Sequence, residues 1–90
     1  MQEPIRALTN KVIHILNRFD PMGLTPGMGD GTPWDEYEPE ARDLAAILQA
    51  SGTITGAQVD AIWFRWFGQN TDAADAIATS LRSAAPRRPR

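Results

Sequence analysis

The sequence predicts an all-α protein: a small four-helix bundle with a long ordered loop between its first and second helices. Three observations predict it. Apolar residues recur at i, i+3, i+4 spacing in four separate segments. Glycine and proline fall between those segments or in their first turns. A complete helix-start signature, Thr55-x-x-Gln58, opens the third segment. Ninety residues make a single domain over positions 1–85, with positions 86–90 expected as a disordered basic tail.

The first helix is expected over about residues 4–19. Pro4 suits a first turn, where its missing N–H costs nothing. Ile5, Leu8, Val12, Ile15 or Leu16, and Phe19 make one apolar stripe with His14 and Asn17 at its edge. Asp20-Pro21 ends it, because a residue before proline is pushed out of the α region. Residues 20–34 then hold four glycines and three prolines. That is long for a helix–helix connection, and loops of this length are usually functional or mobile. Met22, Leu24, Met28 and Trp34 are apolar enough to pin parts of it to the bundle.

The second helix is expected from Glu38, with Pro39 in its first turn, to Ala50. Its stripe is Tyr37, Ala41, Leu44, Ile47 or Ala45, and Leu48, and Ser51-Gly52 closes it. In the third, Ile54 and Val59 stand at the positions of a hydrophobic staple around the capping box. Val59, Ile62, Trp63, Trp66 and Phe67 form its stripe, and Gly68 stops it. Four aromatics within five residues span more than one face, so Phe64 is expected at a groove or surface. The fourth helix is expected to start at Asn70 or Thr71 as N-cap, to bury Ala73 or Ala74, Ile77, Ala78 and Leu81, and to end at Pro86.

Composition narrows the function classes. The absence of cysteine excludes disulfides and thiolate zinc sites and fits a reducing compartment. No apolar run is long enough to span a bilayer, and the polar, acidic start Gln2-Glu3-Pro4 argues against a secretory signal, so a cytoplasmic protein without membrane contact is expected. The net charge of −2 hides an uneven distribution: residues 20–43 carry seven acids against Arg42 alone, and residues 82–90 carry four arginines. Such an acidic middle repels nucleic acid and steers basic partners.

Chemistry-bearing candidates are few. A lone His14 beside an apolar stripe has no cysteine or second histidine for a metal site, and reads as a packing residue. The carboxylate pairs Asp35-Glu36 and Glu38-Glu40 read better as a solvated helix start complementing the helix dipole than as an acid–base pair. Residues 30–36 place oxygen ligands near glycine but miss the EF-hand spacing, and the glycines of residues 23–31 lack the lysine of a phosphate loop. No catalytic residue, cofactor or metal is therefore assigned. A protein partner is the natural counterpart of the acidic face. The candidate contacts are Asp30, Trp34, Asp35, Glu36, Glu38 and Glu40, with Trp34 and Tyr37 equally eligible as anchors or as pins to the bundle.

Asn17-Arg18-Phe19-Asp20-Pro21-Met22-Gly23-Leu24, followed by a Gly/Pro loop and Asp35-Glu36-Tyr37-Glu38-Pro39-Glu40, resembles the small helical YugE-like bacterial proteins of unknown function. Their pattern runs approximately W-D-P-I-G … D-E-Y-D-x-E. The resemblance covers residues 5–50; Phe19 stands for tryptophan, Met22 for isoleucine and Glu38 for aspartate, and the loop is longer. It implies an all-helical domain. Similar small proteins are encoded beside secreted polymorphic toxins, where they look like cognate immunity proteins, so it also implies a toxin domain with a basic surface as partner. The residues of the signature themselves are turn and cap chemistry. Asp20 turns the chain, Pro21 stops the helix, Gly23 permits a positive φ, Asp35 caps the second helix, and the Tyr37 hydroxyl reaches a backbone group. A housekeeping adaptor, or a binder of a cation or small ligand through the acidic loop, is the alternative.

Overall fold

A computed structural model describes residues 3–24, 26–29 and 31–85, with the side chains of residues 3 and 4 excepted. Asp30 and the basic segment 86–90 lie outside the described residues. Four helices follow in order: α1 (Glu3–Phe19), α2 (Glu38–Ser51), α3 (Gly56–Phe67) and α4 (Ala74–Ala84), with no strand among the described residues. Each packs on two others in a ring, α1 on α2 and α4, and α3 on α4 and α2.

The stripes read from the sequence form the core. Leu8, Val12, Ile15 and Leu16 of α1 meet Ala41, Leu44, Ala45 and Leu48 of α2 and Ile77, Ala78 and Leu81 of α4, with Val59 and Trp63 of α3 closing the cluster. Ile13, outside the predicted α1 stripe, is also buried, because α1 is covered on two sides and needs a wider apolar face than one neighbour would require.

The ends behave as their chemistry dictates. Thr55 Oγ1 accepts from Gln58 N–H at 3.1 Å while Thr55 N–H donates to Gln58 Oε1 at 2.9 Å, the reciprocal box the sequence predicts. Gly52 (φ +76°) and Gly68 (φ +70°) take the left-handed conformation that closes α2 and α3, each N–H returning to the carbonyl four residues back. The start of α4 differs from expectation. The helix begins at Ala74, with Ala73 as a cap that makes no side-chain bond. The Asp60 carboxylate of α3 accepts from Thr71 N–H (2.9 Å) and Asn70 Nδ2 (2.7 Å), which commits the Asn70 side chain and the Thr71 main chain to α3. Thr71 Oγ1 instead accepts from Ala73 N–H at 3.2 Å, one turn before the helix.

Two further ties knit α4 to the entry of α3. Gly56 lies against Asp75, so that a Cβ there would overlap the Asp75 carboxylate and meet its Cα at 3.2 Å. Arg82, grouped by sequence with the basic tail, is a helical residue whose guanidinium donates to the Ile54 carbonyl at 2.8 Å and to Thr79 Oγ1 at 3.1 Å.

Candidate functional site: the α1–α2 connection and the start of α2

The connection is shaped first by its own backbone. Asp20 adopts φ +45° and Gly23 φ +66°, so the chain reverses directly after α1. Further on, Gly27 N–H donates to the Thr32 carbonyl at 2.7 Å and Thr32 N–H to the Leu24 carbonyl at 3.2 Å, folding the glycine-rich part onto itself. A side chain at Gly27 (φ +77°) would bring its Cβ within 3.3 Å of the Trp34 Cβ on a left-handed backbone, so any larger residue there is strained.

A four-residue network then ties this loop to α2. The Asp20 Oδ1 accepts from Leu24 N–H at 2.8 Å and from the Tyr37 hydroxyl at 2.9 Å. The same hydroxyl accepts from Met22 N–H at 3.0 Å. Tyr37 is fully buried, tilted against Trp63 with ring centroids 5.6 Å apart, and Trp63 in turn meets Phe67 at 4.8 Å. Burial raises the phenol well above its ordinary value, with the Met22 N–H opposing and the Asp20 carboxylate assisting, so it remains a neutral donor. Asp20, Gly23 and Tyr37 thus hold the structural roles their residue types predict, and Pro21 follows the helix end. Of the two roles open to Tyr37, the pin is the one it takes.

Trp34 is pinned to α1 and yet partly exposed. Its ring stacks on His14 (centroids 5.5 Å apart, planes 20° from parallel), and its carbonyl accepts from Asn17 Nδ2 at 2.7 Å, yet 45% of the residue is exposed. Asp35 and Glu36, directly after it, are exposed. The Asp35 carbonyl, not its carboxylate, accepts from Glu38 N–H at 2.9 Å, and α2 starts at Tyr37 without a side-chain cap; the expected Asp35 cap is absent because a turn of main chain already supplies that bond.

The acids at the start of α2 do not act alike. Glu38 is paired with Arg42 at 2.9 Å in an exposed i,i+4 bridge, which leaves it less charge to offer a partner. Glu40, expected on the solvated face, is only 4% exposed. It precedes Leu44 by four residues and so rides on the inner edge of the apolar stripe, the signal by which the sequence could have placed it. Burial pushes its carboxyl up to about 7; its own N–H opposes this, and the neighbouring carboxylates of Glu36 and Asp43 add to it. Among the described residues, the outward acidic face of the candidate acids therefore reduces to Asp35 and Glu36, with Glu38 at its margin.

Sequence reasoning missed one feature on the other side of that face. Trp66 was expected in the core stripe but is 45% exposed, its indole N–H donating to Asp43 Oδ2 at 2.8 Å. The last turn of α3 meets a carboxylate of α2 there instead of an apolar side chain. Phe64, as expected, is exposed.

Two grooves flank these elements. One, about 350 Å³, runs between α1 and α2 past Arg6, Asn10 and the Glu38–Arg42 pair. The other, about 400 Å³, lies between the end of α1 and the α3–α4 connection, past Asp20, Pro21, Asn70 and Asp72. Among the described residues, no group of three His, Asp or Glu side chains is placed to hold a metal ion, and no helix is long and apolar enough to cross a membrane.

The fold and its ordered connection define a small all-α bundle. No protein-family model, curated protein or solved structure matches this chain, so the YugE-like resemblance rests on its two motifs alone.

Proposed function

We propose that this protein is a non-enzymatic, cytoplasmic binding domain of the immunity type, which neutralises a toxin domain by covering a basic surface of it. The carrying observation is Trp34: half exposed, yet held by the His14 ring and the Asn17 amide, and followed by two outward carboxylates, Asp35 and Glu36. An aromatic fixed before binding loses little entropy on docking, and adjacent unpaired charge steers the approach of a basic partner. Asp30 extends the same acidic run in sequence. Glu40, which is buried, has no part in binding, and Glu38, paired with Arg42, a minor one.

The test is co-expression with the product of the adjacent upstream gene, followed by titration of the purified pair at low and high salt. Relief of growth arrest is expected, together with an affinity that falls with salt and drops at least tenfold in Trp34→Ala and in Asp35→Lys/Glu36→Lys. An upstream product that is harmless, or a complex indifferent to both variants, would remove the reading.

A further inference from the structure

The groove between the end of α1 and the α3–α4 connection, about 400 Å³, has an uncommitted donor in its wall. Trp63 lines it, is fully buried, and has no acceptor for its indole N–H among the described residues. Neither ring packed against it supplies one. Phe67 carries no polar atom in its side chain, and the Tyr37 hydroxyl is engaged by Met22 N–H and Asp20. The groove is the open space at this ring. A buried donor without an acceptor costs the fold free energy that an incoming acceptor recovers.

The other donors around the groove are already spent. Asn70 Nδ2 and Thr71 N–H donate to Asp60, Gln69 Nε2 to Met22 Sδ, and Ala73 N–H to Thr71 Oγ1. What the wall offers besides the indole is carboxylate oxygen. Asp20 Oδ1 already accepts two bonds, whereas Asp72, exposed just before α4, has no ion pair among the described residues. No basic side chain lines the groove. A ligand that fits therefore carries an oxygen acceptor for the indole and, close to it, a cationic donor for the carboxylate. An ammonium on the carbon next to a carbonyl has both, and hydrogen bonds between charged partners are the strong ones. The volume falls within the roughly 300–1,000 Å³ of small-ligand clefts.

We propose that this groove binds an α-amino carbonyl group, as carried by an amino-acid amide or the free amino end of a peptide, with the carbonyl oxygen on the Trp63 indole N–H and the ammonium on Asp72. Few atoms make the contact, so binding is weak, with Kd on the order of 1 mM at low salt, and it weakens further as salt rises. The site involves neither Trp34 nor the acids beside it, and it does not depend on the toxin-binding reading.

The experiment follows the indole N–H resonances of the full chain by NMR during titration with glycinamide and with triglycine amide. N-acetylglycinamide, which keeps a carbonyl and lacks the ammonium, is the control probe. Asp72→Asn is the variant, exposed and outside the core, so the fold is retained. The expected result is a saturable shift at Trp63 but not at Trp34 or Trp66, with affinity about fivefold lower or weaker still for the acetylated probe and in Asp72→Asn. Tighter binding of triglycine amide than of glycinamide supports the site with a peptide end as its source, and equal binding supports it with a free small molecule. A Trp63 resonance that moves with neither probe would overturn the proposal and leave a bound water as the acceptor. Equal binding of the acetylated probe, or an Asp72→Asn chain that binds as the parent does, would overturn it as well.

Discussion

The two connections that lead out of α1 and α3 are built on the same device and end in opposite ways. In each, one aspartate takes a backbone N–H of the connection: Asp20 that of Leu24, Asp60 that of Thr71. The α3–α4 connection is short and spent on the fold, since Asp60, Asn70 and Thr71 bond one another or the main chain. The α1–α2 connection closes its near end through Asp20 and Tyr37, then turns Trp34, Asp35 and Glu36 outward. What differs is the surplus: one connection uses its polar groups to hold helices together, while the other holds itself in place with a few and leaves the rest for solvent or a partner.

Substitutions sharpen that contrast. The largest effect is expected from Asp60→Ala, which leaves the Thr71 N–H and the Asn70 amide without their charged acceptor and should cost about 2–3 kcal/mol of global stability by urea unfolding. Tyr37→Phe should cost about 1–2 kcal/mol, because it strands the Met22 N–H and removes one donor to Asp20 while keeping the buried ring. If Tyr37→Phe proved as costly as Asp60→Ala, the distinction between the two connections would lose its energetic basis.

Glu40 gives a pH-dependent test of the same boundary. Its folded pKa, about 7, lies above the ordinary carboxylate value, so the folded chain binds the proton more tightly than the unfolded one. Its favourable contribution is complete below the ordinary carboxylate value of about 4.3 and is lost as pH rises through 7. Glu40→Gln should therefore match the parent near pH 4 and exceed it by about 1–2 kcal/mol at pH 8, as read by thermal or urea unfolding at both values. A parent chain whose stability rises from pH 5 to pH 8 relative to Glu40→Gln would contradict the burial of this carboxyl. The smallest effect belongs to the outward part: Asp35→Lys/Glu36→Lys should change unfolding stability by less than about 0.5 kcal/mol, since neither residue is buried.

Local chemistry was legible in the sequence and distant pairing was not. The Thr55–Gln58 box, the closing glycines Gly52 and Gly68, the turn at Asp20 and Gly23, and the stripes of α1, α2 and α4 all depend on neighbours within about four positions, and each is where its spacing predicts. Most of the features that were misplaced join residues far apart in the chain; the absent Asp35 cap, displaced by a main-chain bond three positions long, is the local exception. Asp60 captures Thr71 across 11 positions ahead of α4, and Asp43 captures Trp66 across 23 and draws it out of the core stripe. Glu40 stands between these cases: its spacing to Leu44 was visible, but an acid among acids reads as solvated until the tertiary contacts of α2 bury it.

Amide hydrogen exchange at Met22 and Leu24 reads out the closure of the α1–α2 connection, because their N–H groups end on the Tyr37 hydroxyl and the Asp20 carboxylate. The account predicts protection of both amides by about a hundredfold or more in the parent chain and its loss at Met22 in Tyr37→Phe while the helices stay protected. Exchange of both amides in the parent at the rate of an unstructured peptide would contradict an α1–α2 connection held against the bundle, and with it the presentation of Trp34.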